Sequence, residues 1–179
     1  MIAADAGNCL LYEPEGMFSS VFGQKDTDRF ERDVLELANT DTVIFALGVN
    51  DVSYLNEKTK DIISYENYIR TVEEMTNQLK KLNIRVIAQA ITPHLKCART
   101  MGAFTQEMEE LRISLNDWIR NCDLFDAVAD QEETVRDRDE KGYFFREGLH
   151  MGDHLHPNEK GGRLMAETYL SCLKKSITD

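Results

Sequence analysis

The segment 152–157 sets a carboxylate close to an imidazole in the chain. It reads Gly-Asp-His-Leu-His-Pro, so Asp153 stands three residues before His156 on a turn that begins with glycine and ends with proline. A carboxylate held against an imidazole fixes the tautomer of the ring and stabilises its protonated form, as a general base for an alcohol nucleophile requires. The alternative interpretation is a helix N-cap aspartate beside a surface histidine.

A second polar segment, Gly48-Val49-Asn50-Asp51, follows an apolar run that ends at Leu47. Glycine lets the backbone turn sharply, and the side-chain amide of Asn50 just beyond it offers N–H donors. Such a donor can stabilise an oxyanion that develops during a reaction. The competing interpretation is an Asx turn with no chemical role, and the four residues alone do not separate the two.

The histidines near the C-terminus also raise the question of a metal site. His150, Asp153, His154 and His156 are residue types that bind zinc. No cysteine or second carboxylate-histidine pair elsewhere, however, completes a ligand set. We therefore predict that the protein holds no metal.

Three apolar runs predict the strands that must position these segments. The runs 42–47 and 84–91 are rich in branched side chains and suit parallel strands buried on both faces, and a weaker run covers 124–129. In an open parallel sheet, ligands bind at the carboxyl ends of the strands. The segment 48–51 directly follows the first of these runs, so it is placed where a site is expected.

Helical periodicity separates the strand candidates. Apolar residues recur every three or four positions over 65–82 and 104–118, and a shorter helix is predicted over 28–38 with Thr27 as its N-cap. Pro157 suits the first position of a last helix that carries Met165, Tyr169 and Leu173. Helices alternating with buried strands predict an α/β fold in three layers, α/β/α, around a parallel sheet.

Composition limits the functions that fit. At 179 residues the chain suits one domain over 1–179, with no repeat or linker that suggests a boundary. The net charge of −11 argues against a nucleic-acid partner, because phosphate backbones are bound by clustered Lys and Arg. No segment reaches the ~18 consecutive apolar residues of a membrane span. We expect a soluble protein with reduced cysteines, and its compartment is left open by the sequence.

Taken together, the segments 48–51 and 153–157, about a hundred residues apart, resemble the third and fifth sequence blocks of the SGNH/GDSL hydrolase superfamily. Residues 30–169 look like this superfamily throughout. The stretches 116–120 and 125–128 are similar to a bacterial branch related to carbohydrate esterases, and Ala6-Gly7-Asn8 resembles the second block. The resemblance implies a flavodoxin-like fold and acyl transfer from an ester.

By this resemblance each site residue has a role. His156 would be the general base and Asp153 its orienting carboxylate, while the backbone N–H of Gly7 and the side chain of Asn50 would form the oxyanion hole. No metal or organic cofactor is implied. The expected substrate is a small ester or an acylated carbohydrate, and an inactive remnant that binds a ligand or a protein partner is the alternative.

The sequence departs from the superfamily pattern at the nucleophile. No Gly-Asp-Ser block occurs anywhere, and only six residues precede Gly7. Ser19 and Ser20 follow no buried strand, and Ser53 lies too close to Asn50 to face His156 in the usual layout. We expect an N-terminally truncated member whose first, central strand is missing or replaced. Residues 1–4 as a residual strand, a second copy in a homo-oligomer, or a truncated gene product would each account for the gap.

Overall fold

A parallel sheet forms the middle of the protein in a computed structural model, which describes residues 7–15, 22–97 and 104–174. The sheet has three strands in the order β1-β2-β3, all parallel. Their bounds are Thr42–Phe45 for β1, Arg85–Gln89 for β2 and Ala127–Ala129 for β3. The predicted α/β class and parallel sheet are confirmed. The proposed residual strand at 1–4 lies outside the described residues.

Each strand is shorter than its apolar run, and the sequence around β2 shows why. The backbone N–H and C=O of Ile91, just past β2, hydrogen-bond to the side chain of Asn116 instead of to a neighbouring strand. The apolar run 84–91 therefore continues beyond the ladder. Burial sets the hydrophobic signal, whereas backbone pairing sets the strand.

Helices cover both faces of the sheet. Successive residues of β2 point to opposite sides, so they contact helices on different faces. Val86 and Ala88 belong to the larger core, to which the helices α3 (Tyr65–Lys81) and α4 (Gln106–Asn121) contribute buried side chains. Ile87 belongs to a smaller core with Cys172 of the last helix, α6 (Glu159–Lys174). The three-layer arrangement follows from this alternation.

The long helices begin at side-chain caps. Ser64 accepts a hydrogen bond from the backbone N–H of Asn67 at the start of α3, and Thr105 accepts one from Met108 at the start of α4. Each cap satisfies a backbone donor that the first helical turn leaves unpaired. The predicted helix over 65–82 thus ends one residue earlier than its pattern, and that over 104–118 starts after its cap and runs to Asn121.

The first helix differs from its prediction. The helix α1 spans Asp26–Phe30 and continues as a π-helical segment, Glu31–Leu35. The predicted N-cap Thr27 is wrong, because the helix begins at Asp26 and Thr27 lies inside it. The backbone N–H of Asp26 donates to the carbonyl of Cys9 at 2.8 Å, and this tertiary contact fixes the start of the helix.

The last helix also starts later than predicted. Pro157 lies in an isolated antiparallel bridge with His150, and Asn158 provides the cap by accepting the backbone N–H of Gly161 at 3.0 Å. The prediction that Pro157 opens the helix is therefore wrong. Proline cannot donate a backbone hydrogen bond at either place, so its presence alone does not separate a first helical position from a bridge.

Four elements were not predicted. A short helix α2, Val49–Tyr54, occupies the segment that the sequence suggested to be a loop. A helix α5, Gln131–Val135, leads into a hairpin of β4, Arg136–Asp139, and β5, Gly142–Phe145, which pair antiparallel. The sequence of β4 is Arg-Asp-Arg-Asp, so it carries none of the apolar alternation by which strands are predicted. No helix of the described residues is long and apolar enough to cross a membrane.

Candidate active site

The predicted base and its carboxylate are in direct contact. Nδ1 of His156 lies 2.6 Å from Oδ2 of Asp153, while Oδ1 accepts the backbone N–H groups of Leu155 and His156, each at 3.0 Å. Because an ionised carboxylate only accepts, Nδ1 carries the ring proton, and Nε2 of the neutral ring then holds a lone pair. The His156 side chain is 67% exposed, so this lone pair belongs to an accessible ring.

The charge state of Asp153 follows from the same contacts. Its partial burial acts to raise the pKa, but hydrogen bonds from the His156 ring and from two backbone amides outweigh it and lower the pKa of Asp153 to about 2. The carboxylate is therefore ionised at neutral pH. It can hold the ring in one tautomer and stabilise the imidazolium that forms when Nε2 takes a proton.

Asn50 lies on α2, directly after the turn at Gly48. Its Nδ2 donates to the backbone carbonyl of Asn8 at 2.9 Å. An amide nitrogen has two N–H groups, and this contact uses one of them while fixing which way the amide points. The contact brings the predicted oxyanion residue Asn50 beside the segment that begins at Gly7.

Gly7 occupies a conformation that requires glycine. Its φ is +74°, and a Cβ at this position would lie 2.3 Å from the ring of Phe22. Both the positive φ and the close ring exclude a side chain. Gly7 is followed by Asn8, whose carbonyl accepts the hydrogen bond from Asn50.

Gly48 joins the Asn50 side of the site to the end of β2. Its φ is +97°, and a Cβ there would lie 2.7 Å from Cδ1 of Ile91, which follows β2. Asn116 holds both backbone groups of Ile91, with Oδ1 accepting at 2.7 Å and Nδ2 donating at 2.9 Å. The segments after β1 and β2 are therefore packed together at the carboxyl edge of the sheet.

The loop of Asp153 and His156 contacts the same edge through β5. The ring of His154 meets that of Phe144 edge-on with centroids 6.3 Å apart, and the ammonium of Lys96 lies 3.3 Å from the centroid of Phe144. Lys96 belongs to the segment that follows β2. A continuous series of contacts thus runs from the base loop to the segment after β2, and from there to Gly48 and α2.

A buried network of ion pairs holds the carboxyl end of β2 in place. Arg112 is fully buried and binds Glu109 and Glu132, with its Nη1 2.7 Å from Oε1 of Glu132 and 3.1 Å from the carbonyl of Ile91. Burial acts to raise the pKa of Glu132, but Arg112 and Arg120 lower it. The network fixes the end of β2, and removing one charge from it would leave another buried and unpaired.

The histidines considered for a metal site separate into two groups. Asp153 pairs with His156, whereas His150 and His154 face Glu147, and the three potential ligand atoms of this second group lie within 4.8 Å of one another. Nδ1 of His150 accepts the backbone N–H groups of Gly152 and His154. The ring proton of His150 is therefore on Nε2, which lies 3.3 Å from Glu147 and cannot bind a metal while both backbone bonds persist.

Asp51, the residue after Asn50, makes contacts that its sequence pattern did not predict. It is 1% exposed, and its two oxygens accept the backbone N–H groups of Leu10 and Leu11, each at 2.8 Å. Burial, opposed by these two amides, raises the pKa of Asp51 to about 6. Its partners are main-chain amides about forty residues away, and such partners leave no side-chain signal in a sequence.

The described serines do not contact the base. Ser53, Ser114 and Ser171 each donate to the carbonyl four residues earlier in their own helices, and Ser64 caps α3. Ser19, Ser20 and Ser176 lie outside the described residues.

A family model of GDSL-like lipases and acylhydrolases matches residues 21–168, which is most of the chain. The protein belongs to this GDSL-like family. No curated relative was found by sequence at a significant level.

Solved structures of a GDSL-like lipase and of acetyl xylan esterases share the fold. A GDSL-like lipase from Bacteroides thetaiotaomicron superimposes with a TM-score of 0.63 at 19% identity, over 83% of this chain and 68% of that one. An acetyl xylan esterase gives 0.57 at 18% identity, over 82% and 73%. An acetylxylan esterase from Geobacillus stearothermophilus gives 0.55 at 17%, over 82% and 65%, and one of its structures is of a catalytic mutant with serine replaced by alanine.

Proposed function

We propose that this GDSL-like family member hydrolyses esters, with His156 as general base, Asp153 as its orienting carboxylate, and Asn50 with the Gly7 amide as oxyanion donors. The observation that carries the proposal is the 2.6 Å contact between Nδ1 of His156 and Asp153, which leaves Nε2 as the basic nitrogen. Short acyl groups on carbohydrate are the proposed substrates, because two of the similar folds belong to acetyl xylan esterases.

The proposed reaction uses each group once. Nε2 of His156 takes the proton from the attacking hydroxyl as its oxygen bonds to the ester carbonyl carbon, and Asp153 stabilises the imidazolium. The carbonyl oxygen becomes an oxyanion and accepts N–H groups from Asn50 and Gly7. The imidazolium then returns its proton to the leaving alcohol, and the carbonyl reforms.

We propose that the serine nucleophile of this mechanism is absent from the chain. No Gly-Asp-Ser block exists in the sequence, and the described serines are engaged within their own helices. The hydroxyl that His156 activates in this chain is then that of water. Oxyanion donors and binding alone leave about 10³–10⁴-fold catalysis over water when a triad member is removed, so slow hydrolysis is expected.

The test is hydrolysis of p-nitrophenyl acetate by the unchanged chain and by His156→Ala. General base catalysis contributes about 10²–10⁴-fold, so we expect His156→Ala to lower the rate about 10³-fold. A loss of tenfold or less contradicts His156 as the base. His154→Phe is the matched control, since it keeps an aromatic ring against Phe144 and removes an imidazole that faces Glu147 and not the Asp153 pair.

Pre-steady-state kinetics test the absent nucleophile. Attack by water produces no covalent intermediate, so we expect p-nitrophenol to appear without a burst. A burst equal to the enzyme concentration, with an acetylated protein in intact-mass analysis, would show that a serine of this chain is acylated. Acetate release from acetylated xylan, compared with p-nitrophenyl acetate, tests the substrate class.

A second candidate is a ligand-binding domain without chemistry, and the engagement of the described serines favours it. Such a domain would give no hydrolysis above the His156→Ala level. It would still bind acetylated oligosaccharide in calorimetry, so the two functions are separated by rate and not by affinity.

A further inference from the structure

We propose that Asp51 is a positioning residue for the oxyanion donors: its buried carboxylate holds segment 7–11 in place, and with it the Gly7 amide and the Asn50 side chain. The inference rests on the proposed function, because it gives Asp51 a task in the same reaction. It does not make Asp51 a catalytic residue, since the carboxylate contacts the main chain.

The carboxylate of Asp51 links two segments that are distant in the sequence. Oδ2 of Asp51 accepts the N–H of Leu10 and Oδ1 accepts the N–H of Leu11, both at 2.8 Å. Asp51 lies on α2, about forty residues further along the chain. Both oxygens are thus committed to holding the backbone of one loop against one helix.

Asn50, the residue before Asp51, binds the same segment as a hydrogen-bond donor. Nδ2 of Asn50 donates to the carbonyl of Asn8 at 2.9 Å. Consecutive residues of α2 therefore bind three backbone groups of segment 8–11, two as acceptor and one as donor. Any displacement of this segment moves the Gly7 amide and changes the orientation of the Asn50 amide together.

A second contact group holds the same segment from its other side. Nδ2 of Asn8 donates to Oδ2 of Asp26 at 2.9 Å, and the guanidinium of Arg29 contacts both Asn8 and Asp26. Asn8 is therefore fixed through its side chain by α1 and through its carbonyl by α2. Asp51 supplies the remaining constraint, at Leu10 and Leu11.

The chemistry favours a carboxylate at this position. Two backbone N–H groups point at two oxygens, and an asparagine would present an NH₂ group to one of them. A carboxylate that is 1% exposed is costly to bury, and the nearby Asp26 adds repulsion. A costly group that persists in the interior is typical of a site that needs a fixed geometry.

The experiment compares Asp51→Asn with Asp126→Asn. Asp126 also accepts a backbone amide, that of Val86 at 2.7 Å, but at the opposite end of β2 from the site. We expect Asp51→Asn to lower kcat for p-nitrophenyl acetate about 10²-fold, the scale of a 1 Å misplacement, with KM little changed. Asp126→Asn should leave both constants unchanged.

Backbone hydrogen exchange measures this link between the segments without relying on activity. We expect the amides of Leu10 and Leu11 to exchange at least tenfold faster in Asp51→Asn, and at the unchanged rate in Asp126→Asn. Rates are normalised to the folded fraction measured by circular dichroism. A residue with only a structural role would change the folded fraction and leave kcat per folded molecule as it was.

Each outcome decides the proposal. Unchanged exchange at Leu10 and Leu11 overturns it, and so does unchanged kcat per folded molecule. If the unchanged protein does not hydrolyse the ester, the proposed function has failed separately, and acetate affinity replaces kcat. Acetate bound at least tenfold more weakly by Asp51→Asn then supports the positioning role, whereas equal affinity overturns it.

Discussion

Asp51 lies next to the proposed oxyanion donor Asn50, Asp153 lies beside the proposed base His156, and each carboxylate accepts two backbone N–H groups. The pKa values of the two carboxyl groups nevertheless shift in opposite directions. Burial raises the pKa of Asp51 to about 6, whereas the pKa of Asp153 falls to about 2 because hydrogen bonds, including one from the His156 ring, outweigh its smaller burial.

The difference shows how the surroundings of a carboxyl group determine its charge and its role. Asp153 is a third exposed and faces a ring that can become positive, so it remains charged and can respond to the charge on His156. Asp51 is buried. Besides burial, the groups that shift its pKa are neutral backbone amides and the negative Asp26. Asp153 is therefore suited to stabilising charge during a reaction, and Asp51 to holding a backbone segment in place.

The largest expected effect comes from breaking the Asp153 side. Asp153→Asn should lower the hydrolysis rate about 10³-fold, because an amide can hold the His156 ring in the wrong tautomer and cannot stabilise the imidazolium. The measurement is kcat for p-nitrophenyl acetate beside Asp51→Asn. A smaller loss in Asp153→Asn than in Asp51→Asn would reverse the assignment of the two carboxylates.

Stability should show the opposite order. Asp51→Ala leaves two buried amides unpaired at about 1–3 kcal/mol each, so we expect a loss of about 4 kcal/mol in the free energy of unfolding. The amides released by Asp153→Ala are nearer to solvent, so a loss of about 1 kcal/mol is expected there. Urea unfolding of both variants checks this, and equal losses would contradict the difference in burial.

The pH dependence of stability sharpens the same comparison. A carboxyl whose pKa is higher in the folded protein than in the unfolded chain stabilises the fold below the unfolded pKa, and this stabilisation disappears as pH rises through the folded pKa. For Asp51, with its pKa at about 6, we expect about 3 kcal/mol to be lost between about pH 4 and 6. Asp153 acts oppositely, since its contribution is present above about pH 4 and lost toward pH 2.

The Asp51 contribution is isolated by difference. Urea unfolding at several pH values between 4 and 7, in the unchanged protein and in Asp51→Asn, removes the titration of all other groups, Asp26 included. The gap in unfolding free energy between the two should shrink as pH rises. A gap that stays constant would mean that the carboxyl of Asp51 titrates normally.

The smallest effect is expected at Ser53, which lies two residues beyond Asp51 on α2. Its hydroxyl donates to the carbonyl of Val49 at 2.7 Å within the helix. Ser53→Ala should change stability by less than about 0.5 kcal/mol and the rate by less than twofold. A large loss of rate would identify Ser53 as the nucleophile and contradict the proposed absence of one.

The Asp153 side was open to prediction from sequence, whereas much of the Asp51 side was not. Asp153 and His156 are three residues apart, so a single turn brings them together and local spacing carries the information. The partners of Asp51 are backbone amides about forty residues away, which no residue type marks. Asn50 was identified as a donor from its place after a strand, but its contact with Asn8 was visible only in three dimensions.

The same contrast between local and tertiary causes runs through the fold. The strands and long helices follow from apolar periodicity, and their existence was predicted. The start of α1 is set by a tertiary contact with Cys9, whereas the start of α6 is set locally by the cap at Asn158, which was not predicted. The charged strand β4 is paired through its backbone to β5, so its sequence pattern gave no indication of it.

If His156 and Asn50 serve one site, acetate, the product of acetyl ester hydrolysis, should bind beside both residues, and an NMR titration with acetate measures this. We expect acetate to shift the ring signals of His156 and the side-chain amide signals of Asn50 together, with the same dissociation constant. Shifts at only one of the two residues, or at neither up to concentrations that saturate weak anion binding, would contradict it.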